Sequence, residues 1–327
     1  MRRLVEDRDW IVPALALTGA VGTCAIAATP SYLFLLHATS TPIGCFIIAT
    51  VICSIWATWQ VILARPVSPL REMWSIISRH RSGIGHLTGV VLVASLGLMV
   101  FTWTKSMLNF HVVFWADRAL AEQDRALFLG HDPWTLFSWM NFRYVGHVYH
   151  RSWFVAIIGT LLVAASAPRS PERSAIMLHY FVLWLVIGPV IHMLMPAVGP
   201  IFYERMGYGN RFAGLVVDEE TARIADYLWT TYQAKGSLLG SGISAMPSLH
   251  VVMSTWIAIT ARVIAPRLFP WAVAYAMLIF ALSISLGWHY ALDGIVGASA
   301  AIVSYLLLRS IMRRKHSTEC SALPVPS

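Results

Sequence analysis

The sequence predicts an all-α, polytopic membrane bundle of about eight transmembrane helices, and three observations predict it. Of the 327 residues, 57% are hydrophobic and only 12% are charged, against about 25% charged in an average soluble domain. The mean hydropathy is +0.64. The apolar residues gather into runs close to the roughly 20 residues that a spanning helix takes. A chain of this length holds several spans but no second large soluble domain, which sets aside soluble enzymes, disordered chains and coiled coils.

The first run, 11–36, follows Arg2 and Arg3 and contains Ala25-Ile26-Ala27, a combination that a signal peptide also shows. Glu6, Asp7 and Asp9 dilute that basic start, and apolar residues continue past Pro30, so an uncleaved span is expected. Runs at 42–63 and 85–108 come next, then a long connection over 109–151 and a short run at 153–167. A run at 176–200 leads into a second long connection, 201–249, and the last three runs are 250–266, 268–286 and 290–311. The second connection holds Asp218-Glu219-Glu220-Thr221 opening a stretch to Gln233, with Ile224, Tyr227, Leu228 and Tyr232 among polar residues. That pattern predicts an interfacial helix with acids in its first turn. Residues 1–84 are thus two N-terminal spans, 85–311 a six-helix core and 312–327 a tail.

The formal charge is +8, but Lys and Arg are scattered and dense only at Arg313-Arg314-Lys315, which argues against nucleic-acid binding. In a membrane chain such an excess sets topology and meets anionic head groups. Eight spans put both termini on one side, and most of the 24 basic residues fall there. Both termini are therefore expected to be cytoplasmic, with the two long connections forming a structured cap on the outer or lumenal face. Cys24, Cys45 and Cys53 lie in apolar runs and Cys320 in the tail, which is neither a disulfide framework nor a metal site.

Ionisable residues inside spans are functional hypotheses, because a charge in hydrocarbon costs on the order of 3 kcal/mol on insertion scales. Asp293 is the carboxylate of the predicted spans, four residues after His289 in Gly287-Trp288-His289-Tyr290-Ala291-Leu292-Asp293-Gly294. At the start of a helix that spacing brings imidazole and carboxylate to one face. A carboxylate on one ring nitrogen leaves the other a better nucleophile or base; a buried pair that only locks helices together fits the same spacing. Upstream, Gly240-Ser241-Gly242-Ile243-Ser244-Ala245-Met246-Pro247-Ser248-Leu249-His250 runs from a glycine- and serine-rich loop into a helix start. The free N–H groups of such a start suit an anion, while ordinary capping explains the same residues. His250 and His289 are 39 residues apart, near two spans of roughly 20, so both return to the same face. A phosphate near Ser248 would then meet His289 as nucleophile and His250 as general acid.

These residues resemble the type 2 phosphatidic acid phosphatase superfamily: Pro247-Ser248-x-His250 its second signature, His289-x-x-x-Asp293 its third. Ser-Ala-Met-Pro-Ser-Leu-His with His-Tyr-x-x-Asp is more similar to the inositol phosphorylceramide synthase-like branch. Pro196-Ala197-Val198-Gly199-Pro200-Ile201-Phe202-Tyr203-Glu204 with Gly207-Tyr208-Gly209 resembles a further region of that branch. The likeness covers about 85–311, as a six-helix phosphatase-like core. It implies a metal-independent, cofactor-free phosphatase or phosphotransferase acting on a phospholipid- or sphingolipid-type substrate. A phosphohistidine would form at His289, oriented by Asp293, with His250 protonating the leaving oxygen. The first signature's Arg-Pro is absent, leaving Lys105 as its counterpart, and the third signature's Ser-Arg reads Leu282-Ser283. Lys105, Arg211 and Arg205 are therefore the candidate phosphate-binding cations. His111, His131, His147 and His150 are expected at the interface or surface, and His86, His179 and His192 in packing or at the interface. His289 and Asp293 alone are too few ligands for a metal. The alternatives are a plain lipid or polyprenyl phosphate phosphatase and, in another class, a transporter or scaffold that keeps the His–Asp pair for packing or proton movement.

Overall fold

The computed structural model describes residues 7–28, 34–236, 238 and 240–321, so Arg2, Arg3, Glu6 and the 29–33 segment lie outside the described residues. Among the described residues there are helices and no strands. In chain order these are α1 (Arg8–Ala28), α2 (Phe34–Ala64), α3 (Pro69–Leu108), α4 (Asp117–Leu127), α5 (Pro133–Phe137), α6 (Val145–Ser166), α7 (Pro171–Leu194), α8 (Glu219–Gln233), α9 (Leu249–Ile264), α10 (Phe269–Ser285) and α11 (Ala291–Ser321). Seven of them, α1, α2, α3, α6, α7, α10 and α11, are long and apolar enough to cross a bilayer. The chain is an all-α, multi-pass membrane protein.

The eighth expected span is α9, and its 16 residues give about 24 Å of helix, short of the roughly 30 Å hydrocarbon core. The loop that leads into it, 241–248, is largely buried. Helix α9 is central, packed against α6, α7, α10 and α11. Its Trp256 is fully buried and donates from Nε1 to the Ile176 carbonyl at 3.1 Å. Spanning structures must satisfy polar groups internally in this way. Helices α1 and α2 pack on α3, with α1 also against α7 and α2 against α6.

Several boundaries differ from the hydropathy reading, among them that of α11, which runs to Ser321, past the expected end at 311. The 11–36 run is divided, with α1 ending at Ala28 and α2 beginning at Phe34. Helix α3 begins at Pro69, with Ser68 as N-cap and Glu72 in its first turn, so its 40 residues run about 60 Å and its polar first third escapes an apolar-run criterion. The short fourth run becomes 22 residues from Val145, because its first turns are polar and include a π-helical segment, Val148–Ser152. A second π segment, Leu183–Ile187, precedes Pro189 in α7. The widened turn there accommodates a ring that has no N–H and crowds the preceding turn.

At one end of the bundle, buried Asp7 accepts from Arg173 at 2.7 and 3.0 Å and pairs with His86 at 2.9 Å. Burial raises the Asp7 pKa, but His86 and Arg173 overcome that and hold the carboxyl well below its usual range. The Arg173 guanidinium also donates to the carbonyls of Ala164 and Ala165 at the end of α6. Lys315 meets Asp9 at the same end, so the starts of α1 and α7 and the far part of α11 are gathered there. The helix starts that carry the histidine motifs lie at the opposite end.

Candidate active site

The loop before α9 is anchored on the end of α3. Gly242, with φ of +102°, passes so close that a Cβ would lie 2.9 Å from the Lys105 carbonyl. The Asn109 side-chain amide pairs with both backbone groups of Ile243, at 2.6 and 2.8 Å, in the orientation that satisfies donor and acceptor. Ala245 N–H then donates to the Ala197 carbonyl at 2.9 Å. Ser248 is the N-cap of α9 by backbone geometry, yet its fully buried Oγ makes no capping bond and has no hydrogen-bond partner among the described residues.

His289 lies on the turn before α11, not on the helix itself. Its Nδ1 is 2.7 Å from the Ala245 carbonyl and 3.5 Å from Asp293 Oδ2. A carbonyl is only an acceptor, so Nδ1 carries the proton and the ring's free lone pair is on Nε2. Asp293 is fully buried and accepts from the Tyr290 N–H at 2.9 Å. The closest partner of His289 is therefore a backbone carbonyl, and Asp293 stands one step behind it. Burial, with a smaller contribution from the Lys105 charge, pushes the His289 pKa down to about 3, so the ring is neutral at pH 7.

The His250 ring lies 6.1 Å from the His289 ring, centroid to centroid. Tyr149 and Trp153 stack on His250, each at 4.2 Å, and Trp153 Nε1 donates to the His250 carbonyl at 3.0 Å. Tyr149 lies in the π-helical turn of α6 and Trp153 follows it directly. The same turn carries His150, edge-on to His250 at 5.5 Å and to Trp288 at 5.6 Å. Lys105 is close enough to act electrostatically on His150, His192, His250 and His289. Of the residues singled out from sequence, His250, His289, Asp293, Ser248 and Lys105 come together at this end of the bundle.

Arg211 and Arg205 do not join them as free cations. Arg211 donates to Asp132 at 2.5 and 3.0 Å, to Glu122 at 2.5 Å and to the Ala121 carbonyl at 2.8 Å. Arg205 pairs with Asp226 at 2.6 Å. Carboxylates on the two long connections hold both arginines as struts of the cap. His150, expected at the interface or surface, is half-buried, and its Nε2 is buried with no hydrogen-bond partner among the described residues. A polar 109–151 connection hides that position, because hydropathy does not show that α6 starts at Val145.

Two carboxylates on α4 complete the frame. Asp124 accepts from the Ala291 N–H at 2.6 Å and the Leu292 N–H at 2.9 Å, the free donors at the start of α11. Asp117 accepts from the Val198 and Gly199 N–H groups at 2.9–3.1 Å and from the Tyr290 hydroxyl at 3.0 Å. A chain of bonds thus runs from Asp117 through 197–199 to Ala245 and on to His289 Nδ1. Gly199, with φ of +91°, is fixed in it, since a Cβ there would meet the Trp288 carbonyl at 2.5 Å. Burial raises the Asp117 pKa against its hydrogen bonds, and raises that of Asp124 to about 6. The signal for these residues was present in sequence: acids seven apart share one face of α4 with buried Leu120 and Ala121.

The family model of the PAP2 superfamily matches residues 118–307. The chain belongs to the PAP2 superfamily. The match begins inside α4, just after Asp117, and ends inside α11, so it takes in His150, His250, His289 and Asp293 of this PAP2 protein and leaves out α1, α2 and α3, the last of which carries Lys105. No curated protein and no solved structure matches the chain significantly.

Proposed function

We propose that the protein is a lipid phosphatase or phosphotransferase that works through a phosphohistidine at His289, with its active site on the outer or lumenal face and both termini cytoplasmic. One observation carries the reading. The Nδ1–H of His289 is committed to the Ala245 carbonyl, which leaves the Nε2 lone pair free, and a gap of 6.1 Å between ring centroids separates it from His250. The reading places one phosphoryl group between these two rings as nucleophile and acid. In the first half-reaction Nε2 of His289 bonds to phosphorus, the phosphorus–oxygen bond to the leaving group breaks, and protonated His250 gives that oxygen its proton. In the second, His250 removes a proton from an incoming hydroxyl, whose oxygen bonds to phosphorus as the nitrogen–phosphorus bond breaks. Asp293 supports the Nδ1 side as charge develops on the ring. Lys105 and the open N-terminus of α9 at Ser248 are suited to the phosphate oxygens.

Transfer to an alcohol, as in the inositol phosphorylceramide synthase-like branch, is favoured over transfer to water. The branch-like 196–204 segment walls this site: Ala197 accepts from Ala245, and the Ile201 N–H donates to the Gly287 carbonyl at 2.8 Å. Residues 85–311 would form the working core, carried by the N-terminal pair α1 and α2. The test is turnover of headgroup-labelled lipids by purified protein in bilayers, following free phosphate and lipid products together, with His289→Ala beside it. New phospholipid without free phosphate supports transfer, and free phosphate supports the plain phosphatase. Undiminished turnover by H289A refutes the nucleophile.

A further inference from the structure

We infer that His150 is a substrate-binding residue of this site, donating its Nε2–H to a non-bridging oxygen of the phosphoryl group held between His250 and His289. The inference rests on the reading of that site given above and adds a residue to it. Among the described residues, His150 Nε2 is buried without a hydrogen-bond partner, as is the Ser248 Oγ. A buried imidazole nitrogen left unpaired costs free energy unless something arrives to meet it. His150 is also placed between the two motifs, edge-on to the His250 ring and to Trp288, the residue before His289.

The residue also answers a need for donors. The Ser-Arg of the third signature is replaced by Leu282-Ser283, and Arg205 and Arg211 are bound to Asp226, Asp132 and Glu122. An imidazole N–H on the widened turn of α6, with Lys105 and the start of α9, supplies donors from three separate elements to one anion. The unpartnered hydroxyl of Ser248 adds a fourth.

The test uses full-length protein in neutral-lipid nanodiscs and orthovanadate as the probe, read by the fluorescence of the nearby tryptophans. His150→Phe is expected to weaken vanadate binding about 10- to 100-fold, the loss of one charge-assisted hydrogen bond. His150→Gln, which keeps an N–H near the same place, is expected to stay within about 3-fold, and the exposed-cap control His131→Gln to match the unmutated protein. Unweakened binding by H150F overturns the role of His150 and leaves the His289 reading standing. Absence of vanadate binding by the unmutated protein overturns the phosphate site itself. Should H150F not fold, nitrogen-15 histidine spectra of the unmutated protein decide. A His150 Nε2 signal, assigned by its absence in H150Q, that moves on vanadate addition supports the contact, and one that stays in place overturns it.

Discussion

Replacing Asp124 by alanine tests the frame that holds His289. The carboxylate receives two buried N–H groups, from Ala291 at 2.6 Å and Leu292 at 2.9 Å, and each buried donor left unpaired costs about 1–3 kcal/mol. That sets a range of roughly 2–6 kcal/mol. The lower end is expected, because a cavity of about 10 Å³ lined by Asp124, Asp132, His289 and Tyr290 adjoins the carboxylate. Truncation enlarges it enough for a water to take over one donor. Loss of about 2–3 kcal/mol is therefore predicted, with Asp124→Asn intermediate since its carbonyl still accepts. The turn bearing His289 precedes these two donors directly, so loosening it also displaces the nucleophile proposed above. Misplacement by about 1 Å costs on the order of 100-fold in rate. The assay pairs tryptophan-detected unfolding of the bilayer-embedded protein with lipid turnover, and it expects kcat to fall about 10- to 100-fold while KM moves little. Equal unfolding midpoints and equal kcat for D124A and the unmutated protein would refute the argument.

Other outcomes follow from the same geometry. His289 has a folded pKa of about 3 against 6.5 when free, so the unfolded chain binds more protons between those values and stability falls as pH drops through that window. Asp124, raised to about 6, opposes this below pH 6; His289→Gln should lessen the loss of unfolding midpoint between pH 7 and 5. Gly199→Ala forces a Cβ against the Trp288 carbonyl at a φ of +91°, and lower turnover per folded molecule is expected. At the other end, Arg173→Ala leaves Asp7 buried and under-paired, at a cost of about 3–5 kcal/mol, measurable as a lower unfolding midpoint; Asp7→Leu added to it should recover part of the loss.

Much of this was readable in the chain because the bilayer imposes a one-dimensional rule: helices must be apolar for a fixed length, so hydropathy located most spans. The rule fails where a helix leaves the hydrocarbon or begins with polar turns, hence the hidden starts of α3 and α6. The histidine motifs were legible for a related reason. Ionisable residues are costly in so apolar a chain, and His250, His289 and Asp293 stand out by spacing alone.

Partners could not be read in the same way. By sequence, Asp293 was the natural mate of His289; in the fold the Ala245 carbonyl takes Nδ1 and Asp293 backs it. Arg211 looked available as a cation until the cap placed Asp132 and Glu122 on it. His150 read as an interface or surface residue of a polar loop, and only the widened turn of α6 shows it beside His250. The sequence by itself determined that this is an all-α membrane chain with two histidines returning to one face. Which donors are spent and which remain free was decided by tertiary structure alone, because hydrogen-bond partners here come from segments tens to more than a hundred residues apart.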